Sequence, residues 1–131
     1  MSETGYCNCG SISVALTEEQ RANPLLCYCR NCKRAGGGYS VNYVVEEADI
    51  SIQDDRGTLK TYIDTNTDSG NAVERMFCGD CGSPVFTRSP KVPGKGFLKG
   101  SLFDRVSAPS MEVYTAKRES WQPAIEGAVS K

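Results

Sequence analysis

The chain has 131 residues, 39% of them hydrophobic and 24% charged, with a formal net charge of −1, seven cysteines and no histidine. That length fits a single domain over residues 1–131, able to bury roughly two-thirds of its unfolded surface. The near-neutral balance, with Lys and Arg scattered along the chain, speaks against nucleic acid as a partner, since such surfaces carry a basic excess. No apolar run is long enough to span a bilayer, so no membrane association is expected.

In chain order, Met1 to Tyr6 shows no basic stretch followed by an apolar one, so no signal peptide is expected and a cytoplasmic location is the default. Ser11–Leu16 alternates cleanly, with Ile12, Val14 and Leu16 on one face, and predicts a half-buried strand. Thr17–Ala22 can form one helical turn before Pro24 stops it. Tyr39–Val45 alternates again, and Ile50–Ile52 is a short strand-like run. Asp54-Asp55-Arg56-Gly57 reads as a turn leading into a strand over Thr58–Ile63. Asp64–Asn71 is a polar loop; Ala72–Phe77 and Val85–Thr87 are strands on either side of a cysteine pair. Ser89–Lys95 is a second loop, followed by strands over Gly96–Leu102 and Met111–Tyr114. No segment holds a 3.6-residue period, and about eight short strands predict a mainly β domain with little helix. Trp121 is expected in the core or clamping the C-terminal segment.

The cysteines fall in three clusters: Cys7-Asn8-Cys9-Gly10, Cys27-Tyr28-Cys29-Arg30-Asn31-Cys32, and Cys78-Gly79-Asp80-Cys81-Gly82. In a reducing compartment, cysteines at such short spacing read as metal ligands rather than disulfides. An odd number of cysteines and a strained Cys-x-Cys ring both weigh against a disulfide framework. Four thiolates close a tetrahedral zinc site, whereas three leave a position open for chemistry.

In each outer pair a glycine follows the second cysteine, as suits a tight metal-binding turn that needs positive φ. One ion shared by the outer pairs would staple strands far apart in sequence, although spacing alone leaves the pairing open. The middle cluster suits three ligands on one loop. With no histidine present, its fourth position would fall to water, a carboxylate or an incoming thiol. Arg30, Lys33 and Arg34 beside it can lower thiol pKa values and meet the carboxylates of an anionic substrate. They can equally form a solvated basic turn, and the triad can equally be a second structural site closed by Asp or Glu. Gly36-Gly37-Gly38 reads as a flexible turn or a place of close backbone approach, and lacks the Gly-Lys-Ser/Thr of a phosphate loop.

Taken together, Cys-x-Cys-Gly, the Cys-x-Cys-x-x-Cys run followed by Lys33-Arg34-Ala35-Gly36-Gly37, and Phe77-Cys78-Gly79-Asp80-Cys81-Gly82-Ser83-Pro84-Val85-Phe86 resemble the glutathione-dependent formaldehyde-activating enzyme family, also called the centromere-protein-V type. Tyr114–Trp121 looks like the family's closing aromatic-basic-Trp segment. The resemblance covers nearly the whole chain. It implies an Mss4-like β-tent fold and two zinc ions per chain. It further implies that Cys7, Cys9, Cys78 and Cys81 hold a structural zinc, and that Cys27, Cys29 and Cys32 hold a catalytic zinc. The implied activity is a carbon–sulfur lyase type, joining a thiol such as glutathione to formaldehyde or another small aldehyde. A non-catalytic zinc module that binds a protein partner is the alternative, since a fold does not by itself set function.

Overall fold

The computed structural model describes residues 1–131. Its strands in chain order are β1 (Ser2–Tyr6), β2 (Ile12–Thr17), β3 (Leu25–Cys27), β4 (Ser40–Glu46), β5 (Ile52–Asp54), β6 (Leu59–Asp64), β7 (Val73–Cys78), β8 (Pro84–Arg88), β9 (Lys95–Lys99), β10 (Met111–Val113) and β11 (Val129–Ser130). One helix, α1 (Arg30–Gly36), and three short 3₁₀ turns complete a mainly β architecture. The order β1-β2-β5 makes a three-stranded sheet, and β11-β10-β3-β4-β9-β8-β7-β6 makes an eight-stranded one. Neighbours are antiparallel except β10 with β3 and β10 with β11, which are parallel.

The alternation in β2 does what its sequence requires. Ile12, Val14 and Leu16 are buried and pack against Tyr43, Val45, Phe86 and Leu98 from the large sheet, with Leu102 and Phe103 between. Tyr43 and Phe103 meet edge to face, ring centroids 5.6 Å apart. One apolar core thus joins both sheets, each large side chain in it contributing about 2 kcal/mol.

Strand register carries the same alternation to the far face of the large sheet. Leu98 pairs with Tyr43 and Phe86, all on the core side. The intervening residues point the other way: Thr87 pairs with Arg75 and with Phe97, and Asn42 pairs with Lys99 and with Leu25. Arg75, Thr87, Asn42 and Lys99 therefore share the face away from the core with the apolar Phe97 and Leu25.

Several expectations needed correction. Thr17–Ala22 is a hydrogen-bonded turn, with Thr17 Oγ1 accepting from the Gln20 N–H at 3.1 Å and Gln20 Oε1 accepting from the Thr17 N–H at 2.8 Å, and it never becomes a helix. The helix instead lies at Arg30–Gly36, and its stop explains the glycine run: Gly37 takes φ +84° and donates its N–H to the Lys33 carbonyl. Trp121 is 76% exposed and belongs to no core. β1 was not expected either. It lacks apolar alternation and is fixed by its pairing with β2. No helix is long and apolar enough to cross a membrane.

Candidate metal centres

All seven cysteines are free thiols, gathered into two groups in which every sulfur lies within 4.8 Å of the others. One group is Cys7, Cys9, Cys78 and Cys81; the other is Cys27, Cys29 and Cys32.

The four-cysteine group is built from two similar turns. Cys7 and Cys9 follow β1, and Cys78 and Cys81 span the β7–β8 connection, so the group bridges the two sheets. In each turn the glycine after the second cysteine has a left-handed backbone, φ +79° at Gly10 and +78° at Gly82. A Cβ at either would meet open space, so backbone conformation rather than crowding calls for glycine. Gly10 N–H donates to the Cys7 carbonyl at 3.0 Å and Gly82 N–H to the Cys78 carbonyl at 2.8 Å, closing the turns.

Cys9 Sγ lies 3.7 Å from both Cys7 Sγ and Cys78 Sγ. A tetrahedron of sulfurs each about 2.3 Å from a central ion has edges of about 3.8 Å, which these two separations match. Ser11 Oγ stands 3.2 Å from Cys9 Sγ and 3.4 Å from Cys78 Sγ, and Ser83 Oγ stands 3.2 Å from Cys81 Sγ. Ile12 N–H donates to Cys7 Sγ at 3.3 Å. The Ser11 hydroxyl, helped by Thr58 and backbone N–H groups, brings the Cys78 thiol down to about 5. The Ser83 hydroxyl and N–H bring Cys81 to about 7. Both favour the thiolate that a metal needs.

The triad sits where β3 passes into α1. Cys27 ends β3, Cys29 is the helix N-cap, and Cys32 is one turn in. Cys29 Sγ accepts the Cys32 N–H at 3.3 Å. Cys27 and Cys32 are each 8% exposed, and Cys29 is half-buried. Hydrogen bonds from the Cys27 and Cys32 thiols, with the Cys32 N–H and nearby Arg75, hold the Cys29 thiol below its ordinary range, while Cys27 is pushed up. No aspartate or glutamate oxygen joins the triad, so the chain itself offers three ligands there and no fourth.

A polar scaffold positions the triad loop. Asp68 Oδ2 accepts the Arg30 N–H at 2.8 Å and lies 3.0 Å from Lys117 Nζ. Asp64, 5% exposed, accepts from Arg75 Nε at 2.7 Å and from Asn31 Nδ2 at 2.7 Å. Burial alone would raise the Asp64 carboxyl, but these donors and the Asn66 N–H outweigh it and hold it below the usual range. Tyr28, between Cys27 and Cys29, donates to the fully buried Glu112 at 3.1 Å. Glu112 also faces Arg118 at 3.2 Å and accepts the Ile125 N–H at 3.2 Å, which pins the C-terminal segment to the sheet.

Cys27 and Cys32 open onto a cavity of about 260 Å³ on the far face of the large sheet. Arg75, Thr87, Phe97, Lys99 and Tyr114 also line it. Tyr114 has a left-handed backbone, φ +55°, unusual for a residue with a side chain. Its hydroxyl pKa is raised by burial and by the nearby cysteines. Burial pushes the Lys99 ammonium down, and the triad thiols pull it partly back. A larger hollow of about 600 Å³ lies between α1 and the Cys81 turn, but the triad thiols do not line it.

All seven cysteines therefore lie in the two expected groups. Arg30, Lys33 and Arg34 lie beside the triad in sequence but do not line the cavity. Arg30 Nη2 donates to the Asn66 carbonyl at 2.9 Å, Lys33 Nζ pairs with Glu119 at 2.9 Å, and Arg34 lines a separate hollow with Tyr62 and Asp64. The sequence reading missed Ser11, Ser83, Arg75, Lys99 and Tyr114. The serines had a visible signal, the repeated Cys-Gly-Ser of Cys9–Ser11 and Cys81–Ser83. Lys99 had a weaker one: it alternates against Leu98 in a strand.

A family model described as glutathione-dependent formaldehyde-activating enzyme matches residues 2–117. The chain belongs to that family. The crystal structure of a Rhodobacter sphaeroides protein shares the fold, with a TM-score of 0.63 and 18% identity over 80% of this chain and 91% of that one. No curated protein matches the chain in sequence.

Proposed function

We propose that the chain is a zinc-dependent enzyme of the carbon–sulfur lyase kind, acting in the cytoplasm, that joins a thiol such as glutathione to formaldehyde or another small aldehyde. The observation that carries this reading is the triad: three thiols and no carboxylate, opening onto a cavity. Cys7, Cys9, Cys78 and Cys81 would hold a structural zinc, and Cys27, Cys29 and Cys32 a catalytic one. A zinc ion with an open position lowers the pKa of a bound thiol and positions it.

In the reaction, the substrate's thiolate sulfur adds to the carbonyl carbon. The C–S bond forms as the C=O π pair moves to oxygen, which takes a proton from water; the reverse step is the lyase direction. Burial of Cys27 and Cys32 limits water at the site. For substrate carboxylates, Lys91 lines the cavity and is better placed than Arg30, Lys33 and Arg34; Arg75 also lines it but is paired with Asp64. The module alternative would be favoured by a carboxylate closing the triad, and the triad has none.

The test is a screen of thiol and aldehyde pairs, with and without glutathione, on protein loaded with zinc. Adduct formation above the uncatalysed rate is expected for at least one pair and lost in Cys29→Ser. Silence across all pairs would sink the reading.

A further inference from the structure

Lys99 is 6% exposed, at the end of β9 on the face that carries the triad cavity. Its Nζ donates to Asn42 Oδ1 at 2.8 Å and Ser40 Oγ at 3.1 Å. Both acceptors are neutral and themselves buried. An ammonium carries three N–H groups, so one is left without a protein acceptor. None of the ion pairs of the fold includes Lys99. A buried cation is costly unless an opposite charge or full hydrogen bonding compensates it.

The charges around it narrow the candidates. Arg75 and Asp64, on neighbouring strands, neutralise each other at 2.7 Å. Lys117 and Asp68, above the triad loop, do the same at 3.0 Å. Glu112 is taken by Arg118. Lys99 lines one cavity with two of the triad thiols, Cys27 and Cys32, and also reaches the larger hollow beside Cys81, whose thiol belongs to the four-cysteine group. Three thiolates around a divalent ion leave one negative charge over, which a single ammonium balances.

We propose that Lys99 is the built-in counter-cation of the Cys27, Cys29, Cys32 site, a positioning residue that holds three thiolates and their metal together without ligating the metal. The inference rests on the reading of the triad as a metal site. A purely structural Lys99 would instead serve to tie β9 to β4 through Ser40 and Asn42. The two roles part on substitution. Lys99→Met strips Ser40 Oγ and Asn42 Oδ1, both buried, of their Lys99 N–H donors, so the fold weakens somewhat in either role. Only the counter-cation role adds a loss confined to the triad metal.

The experiment is zinc release from the loaded full-length protein to a chromophoric chelator, with the triad phase identified by its absence in Cys29→Ser. Wild type should hold two zinc ions and release them in two phases. Lys99→Met should release the triad zinc about 10–100-fold faster, the usual effect of losing an outer-shell partner, with the four-cysteine phase unchanged and the melting temperature lowered only modestly by the two lost hydrogen bonds. Lys99→Arg should keep the slow triad phase. A triad rate unchanged in Lys99→Met, parallel acceleration of both phases, or equal behaviour of the Met and Arg variants would overturn the inference alone. A wild-type protein holding a single zinc would overturn the proposed function and this inference with it.

Discussion

Serine at Cys78 and serine at Cys29 each remove one sulfur, yet the geometry gives them different consequences. An ion in the four-cysteine group ties Cys9 to Cys78 across 69 residues and binds the small sheet to the large one. Treated as a cross-link, closing such a loop restricts the unfolded chain by about 4 kcal/mol. That is a large part of the roughly 5–15 kcal/mol by which a domain is stable. The triad lies within one short segment, Cys27 to Cys32, already ordered by α1 and its partners, so an ion there closes no long loop. Serine is also a favoured helix N-cap, and at Cys29 it can keep the bond to the Cys32 N–H. Its cost should stay under about 1 kcal/mol. For a chain of this length, Cys78→Ser should lower Tm by roughly 10–20 °C and Cys29→Ser by less than about 4 °C. Thermal melts by circular dichroism on zinc-loaded protein, metal content by atomic absorption and adduct formation together make the assay. Cys29→Ser should be folded, hold one zinc and be inactive. Equal losses of Tm would refute the division between staple and open site, and so would a fully active Cys29→Ser.

Three further outcomes follow from packing and hydrogen bonding. Gly96→Ala would place a Cβ 1.9 Å from Phe86 Cζ, in the core; a cost of about 1–3 kcal/mol or more is expected in urea denaturation, shrinking when Phe86→Leu is added, and strict additivity of the two would contradict the clash. Ser11→Ala removes a hydroxyl beside Cys9 and Cys78, so chelator competition should show the staple zinc weakened about 10–100-fold with the triad zinc unchanged. Arg118→Met leaves Glu112 buried without its cation; a loss of about 3 kcal/mol is expected, partly recovered in the double variant with Glu112→Gln, and no recovery would mean the pair is not coupled.

The strands that were legible from the sequence are those whose alternation faces the core. β2 shows it in Ile12, Val14 and Leu16, and β4 in Tyr43 and Val45, because burial on one face is written directly as period two. β1 and α1 were not legible for a shared reason. Ser2–Tyr6 carries no apolar period and is held by pairing with β2. Arg30–Gly36 is too short for a helical period and is started by the Cys29 cap and the Asp68 carboxylate, 38 residues away. The positive φ of Gly10 and Gly82 was readable because a tight cysteine turn needs that backbone locally. Which cations line the triad cavity was not readable. Arg30, Lys33 and Arg34 are near the triad in sequence, but α1 turns them toward Asn66, Glu119 and the Tyr62 hollow.

By itself the sequence determined the mainly β character, the number and spacing of the cysteines and the tight turns that present them, since all of these depend on neighbours a few residues apart. It also carried the family resemblance that divided seven cysteines into four and three. Only the tertiary structure decided which groups surround the triad. Arg75, Lys99 and Tyr114 come from three separate strands and strand ends and meet Cys27 and Cys32 through sheet register. Register is set by the packing of the whole core, so no short stretch of chain contains it.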